Sequence, residues 1–226
     1  MVFFEFRFWK YLFHQQDLAN SLKDATLRDF KGRVWMVALL GVLLFALRDI
    51  WGMHTEGLTT LFAKGFGETY IIARIVSLIG AILWSLVYMA FYFFLISYVL
   101  HKLTNVDLSK VAVLQLFVVG LLLLEKAFVF VLYAIVGYTT DFSVLSFGPL
   151  AAVFLDNDFF VYFFNELSLI TGLIIAIQFQ FLRNYTELST RNLIIILIAI
   201  PIVLALLVAG FEVLPIETWI EGGQAV

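Results

Sequence analysis

Apolar residues along this 226-residue chain gather into five long runs separated by more polar segments. The first covers Val34–Leu47 and stops at Arg48-Asp49-Ile50-Trp51-Gly52. The others are Tyr70–Leu100, Val111–Val136, Phe159–Leu182 and Asn192–Phe211. A bilayer's hydrocarbon core is about 30 Å thick and takes about 20 residues of helix, so the pattern predicts an all-α, polytopic integral membrane protein built on a five-helix transmembrane bundle. Val34–Leu47 is short for that thickness, which leaves Arg48 in the outer leaflet. Tyr70–Leu100 extends about 45 Å as a helix and must tilt or project beyond the bilayer. Pro201 lies inside the last run, where it frees a carbonyl and is expected to kink the helix.

The opening segment has a different rhythm. Phe3, Phe4, Phe6, Phe8, Trp9, Tyr11, Leu12 and Phe13 are interleaved with Glu5, Arg7 and Lys10, so no spanning run forms there. Leu18, Leu22, Ala25 and Phe30 then recur at nearly helical spacing, with Lys23, Arg28 and Lys31 elsewhere on the wheel. A helix of that make-up lies in the headgroup layer, apolar face down and cations near anionic lipid. The expected organisation is an N-terminal amphipathic interfacial helix over 1–33, a five-span membrane domain over 34–212 and an extracytoplasmic tail over 213–226. Phe8, Trp9, Phe13, Lys23, Arg28 and Lys31 are the expected inner-face anchors and partner contacts.

Between the third and fourth runs, Gly137–Asp158 stays apolar but is interrupted by Pro149 and by Asp156-Asn157-Asp158. It reads as a short re-entrant or surface-lying helix, because irregular backbone at lipid depth must be covered by protein. Within it, Ser146-Phe147-Gly148-Pro149 reads as a turn. Asn165, beside Glu166, is expected to cap the fourth span.

Charge gives the orientation. Arg7, Lys10, Lys23, Arg28, Lys31 and Arg33 precede the first run, and the following segments carry Lys64, then Lys102 and Lys110, then none, then Arg183 and Arg191, then none. Cytoplasmic loops hold the excess of Lys and Arg, so the alternation predicts a cytoplasmic N-terminus, five crossings and an extracytoplasmic C-terminus. Composition agrees: the chain is 63% hydrophobic with mean hydropathy +1.01, against about 45–50% apolar residues in soluble domains. No basic patch with motif structure points to nucleic acid. The absence of Cys removes disulfides, thiolate catalysis and Cys-ligated metal.

Ionisable groups within the runs are costly and are the candidates for function. Glu125 and Lys126 lie near the middle of the third run, about 100° apart on a helix, so each needs a partner elsewhere. Arg48 or Arg74 is the expected partner of Glu125, and Glu166 that of Lys126. Such a network serves as packing glue, as a lateral binding or gating site, or in proton or ion coupling. No phosphate-cradling Gly loop, paired-His metal site or Gly-x-Ser-x-Gly elbow occurs, and His14, His54 and His101 fall in three separate segments. The chain is therefore expected to be no enzyme and to carry no cofactor or metal.

Ser146-Phe147-Gly148-Pro149-Leu150, then Phe163-Phe164-Asn165-Glu166-Leu167-Ser168-Leu169, a span ending at Leu182-Arg183, a short turn and a last apolar run resemble the C-terminal half of bacterial Yip1-domain proteins. The resemblance covers roughly residues 140–212, and the earlier spans match only in number and spacing. Ile170-Thr171-Gly172 stand where relatives often carry a tryptophan, and the acidic-aromatic Gly-Pro signature of the eukaryotic members is missing. The resemblance implies a five-helix domain of the bacterial cytoplasmic membrane that acts as an accessory or scaffold. Some bacterial members accompany ABC-type exporters, so such an exporter subunit is the expected partner besides the lipid bilayer. The alternative is a small transporter, or a substrate-capturing membrane subunit, with its site near Glu125 and Lys126.

Overall fold

The computed structural model describes residues 2–3, 8, 15–22, 25–26, 30–53, 55–140 and 142–214. Its framework is helical: α1 Gln15–Ser21, α2 Phe30–Trp51, α3 Thr59–Ala63, α4 Gly67–Thr104, α5 Leu108–Val136, α6 Gly148–Phe154, α7 Asp158–Asn165, α8 Leu169–Leu182 and α9 Thr190–Glu212. A 3-10 turn at Glu56–Leu58 precedes α3, and Val2–Phe3 pairs in parallel with Ala25–Thr26. Helices α2, α4, α5 and α9 are long and apolar enough to cross a membrane, the make-up of a multi-pass membrane protein.

Helix ends follow local chemistry. Gly52, with φ +112°, turns the chain out of α2, and the Arg74 guanidinium donates to the Asp49 and Ile50 carbonyls at 2.6 and 3.0 Å. Those are acceptors that a helix C-terminus leaves unpaired. Asn105 stops α4 in the left-handed region, which a short polar side chain tolerates. Within α4, a π-helical turn at Phe91–Leu95 separates regular helix on either side, and the Ser97 hydroxyl bonds to the Phe93 carbonyl there.

The fourth apolar run, expected as one span over Phe159–Leu182, is two helices. α7 ends at Asn165 and α8 begins at Leu169. Ser168 starts the second helix with a reciprocal cap: its hydroxyl accepts from Thr171 N at 3.2 Å, and the Thr171 hydroxyl accepts from Ser168 N at 3.2 Å. At 14 residues α8 extends about 21 Å, less than a bilayer's hydrocarbon core. α9 continues through Pro201, as α6 does from Pro149 in its first turn.

α5 is the central helix. From Val111 to Val119 every side chain but Ala112 is buried, packed against residues of α1, α4, α8 and α9. This core lies at the end of the bundle that carries the short α4–α5 and α8–α9 turns. Toward the long-loop end α5 emerges, with Leu124, Phe128, Val131 and Ile135 exposed. α2 and α4 pack along each other through Phe45 and Met89, meeting Val119 and Leu123 of α5. Gly41 permits that approach: a Cβ there would sit 2.2 Å from Met89 Sδ.

α1 departs from expectation. The helix stops at Ser21 instead of running toward Phe30, and its apolar face is spent on protein: Leu18, Ala19 and Leu22 are buried in the core. Moving a leucine side chain out of water stabilises by about 1.5–3 kcal/mol. Contact with the bundle gives that gain as readily as lipid does.

Candidate functional site

The break between α7 and α8 is held by the segment before α6. Phe147 N donates to the Leu167 carbonyl at 2.9 Å and Leu169 N to the Leu145 carbonyl at 3.1 Å, forming an antiparallel bridge between Ser146 and Ser168. The Asn165 side-chain oxygen accepts from Ser143 N at 3.0 Å and from the Ser146 hydroxyl at 2.8 Å. Asn165 therefore anchors this segment to the end of α7 and does not cap the start of a span. The turn falls earlier than expected, at Val144 and Leu145, closed by Ser146 N donating to the Ser143 carbonyl at 3.0 Å, while Gly148 and Pro149 already belong to α6. Gly148 makes the approach possible, since a Cβ would lie 3.0 Å or less from Asn165 atoms, backbone included.

Around this break the structure gathers four of the five expected intramembrane charges. Glu125 and Lys126 leave α5 in different directions. The Glu125 side chain points toward the Ser168 hydroxyl at the start of α8. Lys126 Nζ stands 4.9 Å from the Tyr88 ring centroid on α4, within cation–π range. Tyr88 stacks obliquely with Tyr92 at 4.8 Å and Phe45 at 5.8 Å, and Arg48 lies over Phe45 at 5.4 Å while its Nε meets Met53 Sδ at 3.2 Å. Glu166 sits in the break itself, open at the chain's surface yet with protein on most sides, and within electrostatic reach of Lys126, Tyr88 and Tyr92.

Arg74 is apart from this group. Besides the α2 carbonyls it donates to the Thr55 hydroxyl, beside Asp49, whose Oδ2 accepts from the Ser77 hydroxyl at 2.6 Å and whose buried Oδ1 has no hydrogen-bond partner among the described residues. Asp49, Ser77, Tyr88, Tyr92 and Ser168 were not among the residues expected from sequence to carry function. The available signals were the four-residue spacing of Tyr88 and Tyr92, which puts both rings on one helix face, and the Ser-x-x-Thr capping pattern.

Among the expected inner-face anchors, Phe8 stacks on Phe117 at 5.5 Å and fills a seat left by Gly120, so its ring serves the bundle. Lys31 is exposed in the first turn of α2. Trp9, Phe13, Lys23 and Arg28 lie outside the described residues.

The short-turn end is stitched by polar contacts. The Tyr185 hydroxyl donates to the Ala19 carbonyl, Lys110 Nζ lies 4.5 Å over the Tyr185 ring, and the Thr186 hydroxyl donates to the Thr104 carbonyl at 2.9 Å. Burial pushes the Tyr185 phenol up to about 12. No group of His, Asp and Glu among the described residues is placed to hold a metal ion. No protein-family model, curated protein or solved structure matches this chain.

Proposed function

We propose that this chain is a non-enzymatic accessory or scaffold subunit that docks laterally on a larger membrane complex. The observation in favour is the uneven use of apolar surface. α5 keeps 44% of its most apolar stretch buried within the chain, against 17% for both α2 and α4. The α2–α4 pair stands out as a two-helix blade whose outer faces carry Trp35, Leu39, Ile75, Ile79 and Trp84, all exposed. Lipid or a partner helix covers such faces, and the exposed tryptophans offer large, rigid contact area of the kind that anchors interfaces. The Yip1-domain resemblance makes an ABC-type exporter the partner class of first choice.

The proposed topology has five crossings, with α7 and α8 together making the fourth, the short-turn end in the cytoplasm of a bacterial cell, and the C-terminus outside. The docking reading is tested by purifying the full chain in mild detergent after crosslinking from benzoyl-phenylalanine placed at Trp84. A defined membrane-protein adduct, lost when the photoprobe is moved to buried Leu114, supports it. Lipid adducts alone would sink it.

A second reading is favoured by the broken fourth span. Discontinuous membrane helices set carboxylates and backbone where substrates bind in many transporters, and here the break carries Glu166 and meets Glu125. Under that reading the chain is a small transporter or captures substrate for one, and Glu125→Gln abolishes vesicle uptake while the fold survives.

A further inference from the structure

We propose that the π-helical turn of α4 and Gln115 of α5 form a two-position joint inside the bundle, independent of either reading above. In the turn, Ile96 N donates to the Phe91 carbonyl, five residues back instead of the regular four. The widening leaves a main-chain carbonyl to be satisfied otherwise, and the Ser97 hydroxyl donates to that of Phe93. Gln115 is the second anomaly. Its side chain is fully buried, and neither its amide nitrogen nor its amide oxygen has a hydrogen-bond partner among the described residues. A polar group left so destabilises the fold and calls for a reason.

The two anomalies lie at one level. Counting equally from the short α4–α5 turn puts Gln115 level with Ser97, as it puts Leu123 level with Met89, a pair that does share a cluster. One turn along α5 from Gln115, Val119 packs with Phe45 and Met89, so the amide is on the flank of α5 that faces α2 and α4. Ser97 is buried on the α4 face it shares with Phe93 and Leu100, both packed into the core around α5. Its hydroxyl is therefore the polar group best placed for Gln115, and the wide turn holds it to Phe93.

A wide turn travels along a helix by exchanging one long bond for one regular bond at a time, and only the residues it passes rotate, each by about 100°. Movement toward Thr104 is blocked, because Ile96, Ser97 and Leu100 are fixed in the core. Toward Gly67, α4 packs chiefly on α2. In the second position the wide turn lies one turn nearer Gly67. Ser97 N then takes the Phe93 carbonyl in ordinary α-helical fashion, and the released hydroxyl donates to the Gln115 side-chain oxygen. Tyr88, Met89 and Tyr92 are among the residues rotated, and the seat of Met89 against Gly41 is the catch that holds the first position.

The test uses the full chain in nanodiscs, labelled with fluorotyrosine and read by fluorine NMR, with the Tyr88, Tyr92 and Tyr133 lines assigned from single Tyr→Phe variants. Two lines each, or exchange broadening, are expected for Tyr88 and Tyr92, while Tyr133, on α5 beyond the joint, stays single and sharp. Gln115→Leu removes the acceptor of the second position and should cut the minor line by about ten-fold, the order of one buried hydrogen bond. It should also leave the fold at least as stable, since an apolar side chain of similar size replaces a partnerless amide. Gly41→Ala crowds Met89 out of its seat and should raise the minor line. If that variant fails to fold, Gln115→Leu still decides. Single sharp lines for both tyrosines in the wild type, a minor line indifferent to Gln115→Leu, or one that a folded Gly41→Ala leaves unchanged overturns the proposal. A chain that shows the two positions but crosslinks only to lipid would lose the docking reading and keep the joint.

Discussion

Individual side chains here do several jobs at once, and Tyr185 is the clearest case. Its hydroxyl reaches α1 through the Ala19 carbonyl, its ring packs on Phe181, and Lys110 covers its face. The folded phenol is raised to about 12 from an ordinary 10.0. A raised acid of this kind supplies stability that is complete below pH 10 and is lost as pH climbs through about 12, because the unfolded chain gives up its proton first. Thermal unfolding in alkaline buffers should therefore show a fall in midpoint over that window that shrinks in Tyr185→Phe. A profile identical in both proteins would mean that the phenol does not sense the fold.

At the level of elements, the positions of the apolar runs were legible from hydropathy, since run length is a property of the chain alone. The break at Glu166–Ser168 was not. Leu167 and Leu169 keep the run apolar, and Ser168 resembles any tolerated polar residue until Thr171 is seen to answer it. What makes the break stable is remote in sequence: Leu145 and Phe147 supply the backbone bonds. α1 was misjudged for a related reason, because Leu18 and Leu22 define an apolar face without saying whether lipid or protein meets it. Of the charged site, the residue identities were legible, but the aromatic ladder that organises it was not. Gly148 follows from the same geometry. A methyl group there collides with the Asn165 side chain and crowds its Cα at 3.0 Å, so Gly148→Ala should lower the unfolding free energy by about 1–3 kcal/mol through overpacking. Steric-trap or urea unfolding in detergent would measure it, and no loss would show that the segment before α6 can shift away freely.

Taken whole, the molecule is asymmetric along its long axis. One end is closed by a dense core around α5, while the other is splayed, with its charges and its broken span in the looser half. The charge alternation that points the short-turn end inward predicts where tags report. A fluorescent protein that matures only in the cytoplasm should stay dark when fused after Leu214 and be bright when fused in the α8–α9 turn at Glu187. The reverse pattern would invert every assignment of side made above.

The wide turn at Phe91–Leu95 has one further bearing on this architecture. A π-helical turn is an α-helix holding one surplus residue, and each residue of ordinary helix advances the winding by about 100°. The two halves of α4 are therefore phased to each other by a single amino acid. Deleting it would let the coil wind regularly and rotate Tyr88 and the blade's tryptophan away from their present bearings, while leaving composition and hydropathy almost untouched. Relatives that lack that one residue would look alike on paper and present a different flank.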